Sequence, residues 1–361
     1  MKKCYVLVIN PGSTSTKVGL FCGDEVIKSH KITHSSKELE KFEKVSEQYE
    51  YRLNLIYDWL KSIEISTSSL VAVVARGGLL RSIPGGAYEV TNKMISDLEI
   101  GVQGEHASNL GGILAKGIAD KVGIKAYIVD PVSVDEFDDI ARISGLKEIE
   151  RRSLVHALNI RAVSHRRAKE LGKDLKELNF IVAHLGGGIS VSPVRNGRII
   201  DANNASEMGP FSPERTGGLP VGDLVKLCYS GKYTLDEMKI KLKGKGGLAS
   251  YLGITDGIEI EEKIKSGDKK AELVYSALAY QVAKEIGAMA TALRGKVDNI
   301  ILTGGLAYSE YLVDIISDMV GFIAEIVIYP GEDEMDALNK GVLRILNGEE
   351  KGKTYEDEVM R

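Results

Sequence analysis

The sequence predicts an α/β protein built from two halves that repeat one another. Three observations carry this. Runs of β-branched residues alternate along the chain with segments of helical period. The opening unit, "CYVLVINPGSTSTKVGLF" followed by "DEVIKSHKITH", reads strand, polar turn, strand, turn, strand, and it returns about half the chain later as "NFIVAHLGGGISVSPVRNGRIIDANN". A chain of 361 residues with 43% hydrophobic content is also long enough for about two cores. The expected site therefore lies between two lobes.

Taken in order, Cys4 to Phe21 form a β-hairpin with a Pro/Gly/Ser/Thr tip. Asp24 to His34 alternate as a third strand, and residues 36 to 63 carry the charged, amphipathic pattern of a helix. "LVAVVARGG" is a buried strand ending at Arg76. Leu110, Ile113, Leu114 and Ile118 set a helix over Ala107 to Val122, and "IKAYIVDP" is a strand ending at Asp130 and Pro131. "RRSLVHALNIRAVSHRRAKELG" is a basic helix with Gly172 as its C-cap. Residues 269 to 294 read as a long buried helix, "VDNIILTGG" and "IAEIVIYP" as strands, and "MDALNKGVLRIL" as a closing helix. The charged tail from Glu349 is expected to fray. The expected domains are residues 1–150 and 151–335, with the terminal segment 336–361 packing back onto the first.

Composition excludes several classes. A net charge of -4 gives no electrostatic footprint for nucleic acid or an anionic membrane. Cys4, Cys22 and Cys228 are an odd number, far apart in sequence, with neither metal-ligand spacing nor a disulfide framework. The N-terminal apolar run stops at Asn10 and Pro11, too early for a signal peptide. No stretch approaches the roughly 20 apolar residues of a membrane helix, so a cytoplasmic protein is expected.

The chemistry is sought at the turns. In the first hairpin, Asn10, Gly12, Ser13 and Thr14, with Lys17 just beyond, place small residues, backbone amides and hydroxyls where a phosphate could approach. Alone this is only a turn. The second copy supplies Gly186, Gly187 and Gly188 after His184, and two such tips suggest a clamp for a polyphosphate. Gly304 and Gly305 sit where a strand passes into a helix, a place where backbone can lie against a nucleotide. No P-loop is present, nor a GxGxxG opening a helix after a strand. The irregular stretch from Asp201 to Leu224 holds Arg215 among glycines and prolines, suited to a phosphoryl group or a carboxylate. His106, His156 and His184 stand in suggestive contexts, and Asp130 follows a strand end. Glu332, Asp333 and Glu334 could help hold magnesium through water or form a solvated charge run.

These motifs together, "VINPGSTSTK", "HLGGGISV", "GRIIDANNASEMGPFSPERTGGLP" and "ILTGGLAYS", resemble the acetate/propionate/butyrate kinase (acetokinase) family over nearly the whole chain, nearest to its butyrate-using branch. The resemblance implies two ribonuclease-H-like (actin-like ATPase) domains with mixed five-stranded sheets and a central cleft holding ATP and Mg2+. It implies a homo-oligomer acting on a short-chain fatty acid and ATP/ADP. By position, Asn10 matches an asparagine near magnesium and phosphate, and His106 a substrate-pocket histidine. Asp130 matches a carboxylate associated with the metal, and His184 the second-hairpin histidine. His156 and Arg215 match the residues that meet the transferring phosphoryl. The chain departs where the acetate kinases carry an arginine three residues before His-Gly-Gly: that position is Val73, and Arg76 replaces the histidine. Arg76 or Arg81 then supplies the second substrate-side cation, and Asp333 or Glu334 the metal-associated carboxylate. The implied reaction is reversible phosphorylation of butyrate or a similar acid by direct in-line transfer. Other short or branched acids, a sugar kinase, and an actin-like sensor or polymer are the alternatives.

Overall fold

The computed structural model describes residues 4–359. The chain forms two compact units, one of Met1–Asp135 with Asp333–Arg361 and one of Glu136–Glu332.

In the first unit, β1 (Tyr5–Pro11), β2 (Ser15–Cys22) and β3 (Glu25–Thr33) make an antiparallel meander. Beside it lie β4 (Leu70–Arg76), β5 (Ala87–Glu89) and β6 (Lys125–Val129), giving the spatial order β5-β6-β4-β1-β2-β3. Strand β1 runs parallel to β4, and β4 parallel to β6. Val6 to Ile9 and Val73 to Ala75 are buried on both faces, which is what central strands covered by helices on each side require. The Asn109–Val122 helix comes down on β4 at Gly111, where a Cβ would overlap the Arg76 carbonyl. The Glu334–Leu346 helix packs on β1, β4 and β6, with Gly341 against Val129.

The second unit repeats the plan with β7 (Asn179–Leu185), β8 (Ile189–Arg195), β9 (Arg198–Ile199), β10 (Asn299–Gly304) and β11 (Ile326–Pro330). Its order is β11-β10-β7-β8-β9, antiparallel through the meander and parallel from β7 to β11. Strand for strand this matches β6-β4-β1-β2-β3. The Lys269–Ala292 helix buries Tyr275, Leu278 and Val282 beneath β7 and β8.

Three departures from the expected elements have local causes. The first sheet has seven strands where five were expected, because β5 and a C-terminal β12 (Lys353–Thr354) extend it. The tail expected to fray is therefore tied down: β12 pairs with β5, and Tyr355 is fully buried. The helix expected over residues 36 to 63 is broken into Ser36–Leu39, a 3-10 turn Val45–Gln48, and Tyr49–Ser62. Glu47 causes the break by accepting the backbone N–H groups of Glu43 and Lys44 (2.9 and 3.2 Å), a cap in mid-pattern. Cys4, although distant in sequence, is the largest influence raising the Cys22 pKa, and both thiols are free. Among the described residues no helix is long and apolar enough to cross a membrane.

Candidate active site

In each unit the sequence-predicted polar residues collect at the carboxyl ends of the parallel strands, where an α/β sheet leaves backbone groups and loops available to a ligand.

In the second unit, His184 lies near the end of β7 and stacks on His156, with ring centroids 3.8 Å apart and planes at 13°. His156 immediately precedes the Ala157–Leu171 helix. One turn on, Asn159 donates its side-chain amide to His184 Nδ1 (2.8 Å) and to Thr303 Oγ1 at the end of β10 (3.1 Å). Nδ1 is thus an acceptor, which leaves the proton of the neutral ring on Nε2, 3.7 Å from Glu332 Oε2. Burial, and then the neighbouring His156, hold the His184 pKa well below its ordinary value. On the other face of the stack, His156 Nδ1 is 2.8 Å from Ser190 Oγ.

Arg215 lies over the β7–β8 turn. A Cβ on Gly188 would overlap its guanidinium, so only glycine permits the approach. Nη1 donates to the Ala205 carbonyl (2.8 Å), and Ser212 Oγ donates to the Gly187 carbonyl (2.7 Å) while accepting the Arg215 backbone N–H (3.2 Å). The glycine tip and the arginine loop are thereby fastened together. Burial lowers the Arg215 pKa, opposed by Glu214 beside it. Thr303 stands in register with His184, so β10 delivers Gly304 beside the same tip. Gly304 has φ +88°, a Cβ there would strike the Leu185 carbonyl, and it exchanges backbone hydrogen bonds with Gly331 (3.0 and 2.9 Å). Gly305 opens the 3-10 turn that follows.

In the first unit, Asn10 at the end of β1 donates Nδ2 to Glu334 Oε2 at 2.5 Å, and Arg76 at the end of β4 pairs with Glu334 Oε1. Asp333 is spent as the N-cap of the Glu334–Leu346 helix, accepting the Asp336 N–H (2.9 Å). Of the two acidic candidates, Glu334 is the one joined to Asn10. Asp130 follows β6 with φ +39°, left-handed for a non-glycine residue, and takes the Gly86 N–H on Oδ1 (2.6 Å). At the β1–β2 tip the Gly12 N–H bonds the Ser15 carbonyl (2.7 Å), Ser13 and Thr14 are exposed, and Lys17 lies opposite Asn10.

Two further predicted residues have partners of their own. Arg81 gives its Nε to the buried Asp97 (3.0 Å), which also takes Lys93 and Tyr355. His106 lies on an exposed turn with Nδ1 2.8 Å from Ser108 Oγ. The sequence reading missed Asn159, Ser190 and Ser212. Only Asn159 had a visible signal, its spacing of three from His156 on one helix face.

A model of the "Acetokinase family" matches residues 146–328. The chain is 56% identical over 350 residues, 97% of its length and 99% of the relative's, to "Probable butyrate kinase 2" of Caldanaerobacter subterraneus subsp. tengcongensis. It is 53% identical, with 97% and 99% covered, to "Butyrate kinase 1" of Clostridium acetobutylicum. The fold is that of Porphyromonas gingivalis acetate kinase, with TM-score 0.78, 21% identity, and 95% of this chain and 100% of that one covered. It is equally that of a propionate kinase from Francisella tularensis, at TM-score 0.72, 17% identity, and 94% and 99% covered. With glycine turns, stacked histidines and an arginine loop at matching strand ends, and with relatives this similar along its whole length, the chain belongs to the acetokinase family.

Proposed function

We propose that the protein catalyses reversible transfer of the γ-phosphoryl group of ATP to butyrate, forming butyryl phosphate and ADP. The observation that carries this is the Arg215 guanidinium seated on Gly188 beside the stacked His156–His184 pair. It joins cationic charge to a turn of small residues, the equipment for an anion that must be both held and neutralised.

A fatty acid has a pKa near that of a side-chain carboxyl, so at neutral pH the nucleophile is already ionised and needs no general base. What opposes reaction is the approach of one anion to another. Arg215 and His156 are assigned to the equatorial oxygens of the transferring group, and the buried, neutral His184 is assigned as a donor through Nε2. The glycine turns and Gly304–Gly305 are assigned to the phosphates, and Arg76 and His106 to the acid. Magnesium, when bound with the nucleotide, neutralises charge across the phosphate oxygens. The residues that would hold it are Asn10, Glu334 and Asp130, an all-oxygen set suited to a hard cation that keeps much of its water. Among the described residues no three His, Cys, Asp or Glu side chains cluster as ligands, so this set is one that works together with phosphate rather than a closed cage.

A homo-oligomer is part of the proposal, supported by the Val221–Cys228 helix, which has no buried residue although Val221 and Val225 are exposed. A cytoplasmic setting follows from the use of ATP.

The test is hydroxamate trapping of acyl phosphate across straight-chain acids from two to six carbons with ATP and magnesium. Butyrate is expected to give the highest kcat/KM, and a maximum at acetate would overturn the assignment, since each methylene contributes about 1–3 kcal/mol in an apolar pocket. Arg215→Ala is expected to lower kcat about a hundredfold or more, and unaltered turnover would remove its role. With a chiral γ-phosphate, direct transfer inverts configuration, whereas retention would mean a phosphoenzyme.

A further inference from the structure

Arg52, in the first turn of the Tyr49–Ser62 helix, is among the largest fully buried side chains of the described residues, 1% exposed, and among those residues no carboxylate pairs with it. Buried charges normally carry a counter-ion. Here neutral oxygens take that place. Nη1 donates to the Gly12 carbonyl (2.9 Å) and Thr16 Oγ1 (3.0 Å), and Nη2 to the Ser13 carbonyl (3.3 Å). Nε and Nη2 both reach Gln48 Oε1 (3.0 and 2.7 Å). Behind this, Thr16 Oγ1 meets the buried His34 Nε2 at 2.8 Å, and the His34 N–H bonds the Thr14 carbonyl (2.9 Å). The whole arrangement grips the β1–β2 tip from inside.

The peptide geometry gives this grip a direction. In a trans peptide the C=O and the following N–H point opposite ways. With the Gly12 and Ser13 carbonyls drawn inward to Arg52, the N–H groups of Ser13 and Thr14 are turned outward. Ser13 and Thr14 are exposed, and neither N–H has a hydrogen-bond partner within the protein among the described residues. Two adjacent amides aimed at solvent from a turn, backed by a guanidinium, form a receptor for an anionic oxygen.

We propose that Arg52 is a positioning residue for nucleotide: it never touches ATP, but by holding the Gly12 and Ser13 carbonyls it aims the Ser13 and Thr14 amides at a phosphate. This deepens the kinase reading and rests on it for the identity of the anion. Burial lowers the Arg52 pKa to about 10, which leaves it cationic at neutral pH.

Lysine keeps the charge but cannot make the forked set of bonds. Arg52→Lys is therefore expected to fold, by circular dichroism, and to raise KM for ATP about tenfold, while KM for butyrate stays within about twofold. Arg52→Met, which also removes the charge, should weaken ATP further. A merely structural arginine would lower the melting temperature in both variants and leave both KM values unchanged, and that result overturns the proposal. The native enzyme gives a second readout that needs no variant. Addition of magnesium-ATP should slow hydrogen exchange of the segment holding the Ser13 and Thr14 amides, and unchanged exchange under saturating nucleotide would equally sink the idea. Both readouts follow nucleotide. If the chain bound ATP yet made no acyl phosphate from any acid, the carboxylate-kinase reading would fail while equilibrium ATP binding by wild type and Arg52→Lys still decided the role of Arg52.

Discussion

His34 illustrates how a single side chain links the tip of a hairpin to the stability of the protein. It is buried against Thr16, its Nδ1 has no hydrogen-bond partner, and burial together with the nearby Arg52 cation lowers its pKa to about 4. An unfolded chain would protonate His34 near pH 6.5, whereas the folded chain resists until about pH 4. The unfolded state thus binds more protons between these values, so stability is complete above pH 6.5 and falls as pH drops towards 4. His184, depressed in the same direction, adds to this loss. Urea midpoints measured from pH 7 to 5 should decline, and His34→Gln should flatten that slope by about one proton's worth. A slope unchanged by the substitution would mean that His34 does not titrate as its surroundings imply. Arg215, His156 and His184 were legible as candidates because polar residues in glycine-rich or strand-end contexts are chemically out of place. Arg52 and Ser190 were not. An arginine on a charged helix carries no mark of burial, and its partners are backbone carbonyls some forty residues away in sequence (Gly12 to Arg52).

At the scale of elements, the C-terminal β12 and the turn after it close the first sheet. Tyr355 is fully buried and donates its hydroxyl to Asp97 Oδ2 (2.9 Å), a buried carboxylate that also receives Arg81 and Lys93. These donors outweigh burial and lower the Asp97 pKa, and burial, with the same pairing, raises that of Tyr355. Tyr355→Phe removes one hydrogen bond to a charged group and should cost about 1.5–3 kcal/mol. Tyr355→Ala adds a cavity and should cost about 3–5 kcal/mol. Denaturant unfolding checks both, and a tail that truly frayed would leave both variants as stable as the parent. The long strands were readable because β-branched runs bounded by turn residues have few other uses. β5 and β12, of three and two residues, are too short to carry a period. The break before Tyr49 was hidden for a different reason: residues 36 to 48 contain no glycine or proline, and it is the Glu47 carboxylate capturing two backbone N–H groups that ends the run.

At the scale of the whole molecule, the two units share one strand plan, and they differ in what is added to it. The second unit inserts, between β9 and β10, the arginine loop and several short helices, and there apolar side chains remain outside. On the Val221–Cys228 helix and just past it, Val221, Val225 and Tyr229 are spaced by four, so they lie along one stripe, with Tyr229 88% exposed. The helix covers no core of its own chain, which leaves its apolar stripe without the burial that usually stabilises so short a helix. A two-fold axis beside it would let the same stripe from a second copy supply that cover, each chain contacting the other with identical residues. Sedimentation of the native protein should then show a dimer or a larger even assembly. Val225→Glu, which places a charge in the middle of the stripe on each copy, should shift the protein towards monomer without unfolding it, because Val225 is exposed on a helix that has no buried residue. A native protein that sedimented as a monomer at all concentrations, or a variant that assembled exactly as the parent does, would show that this helix is exposed for some other reason.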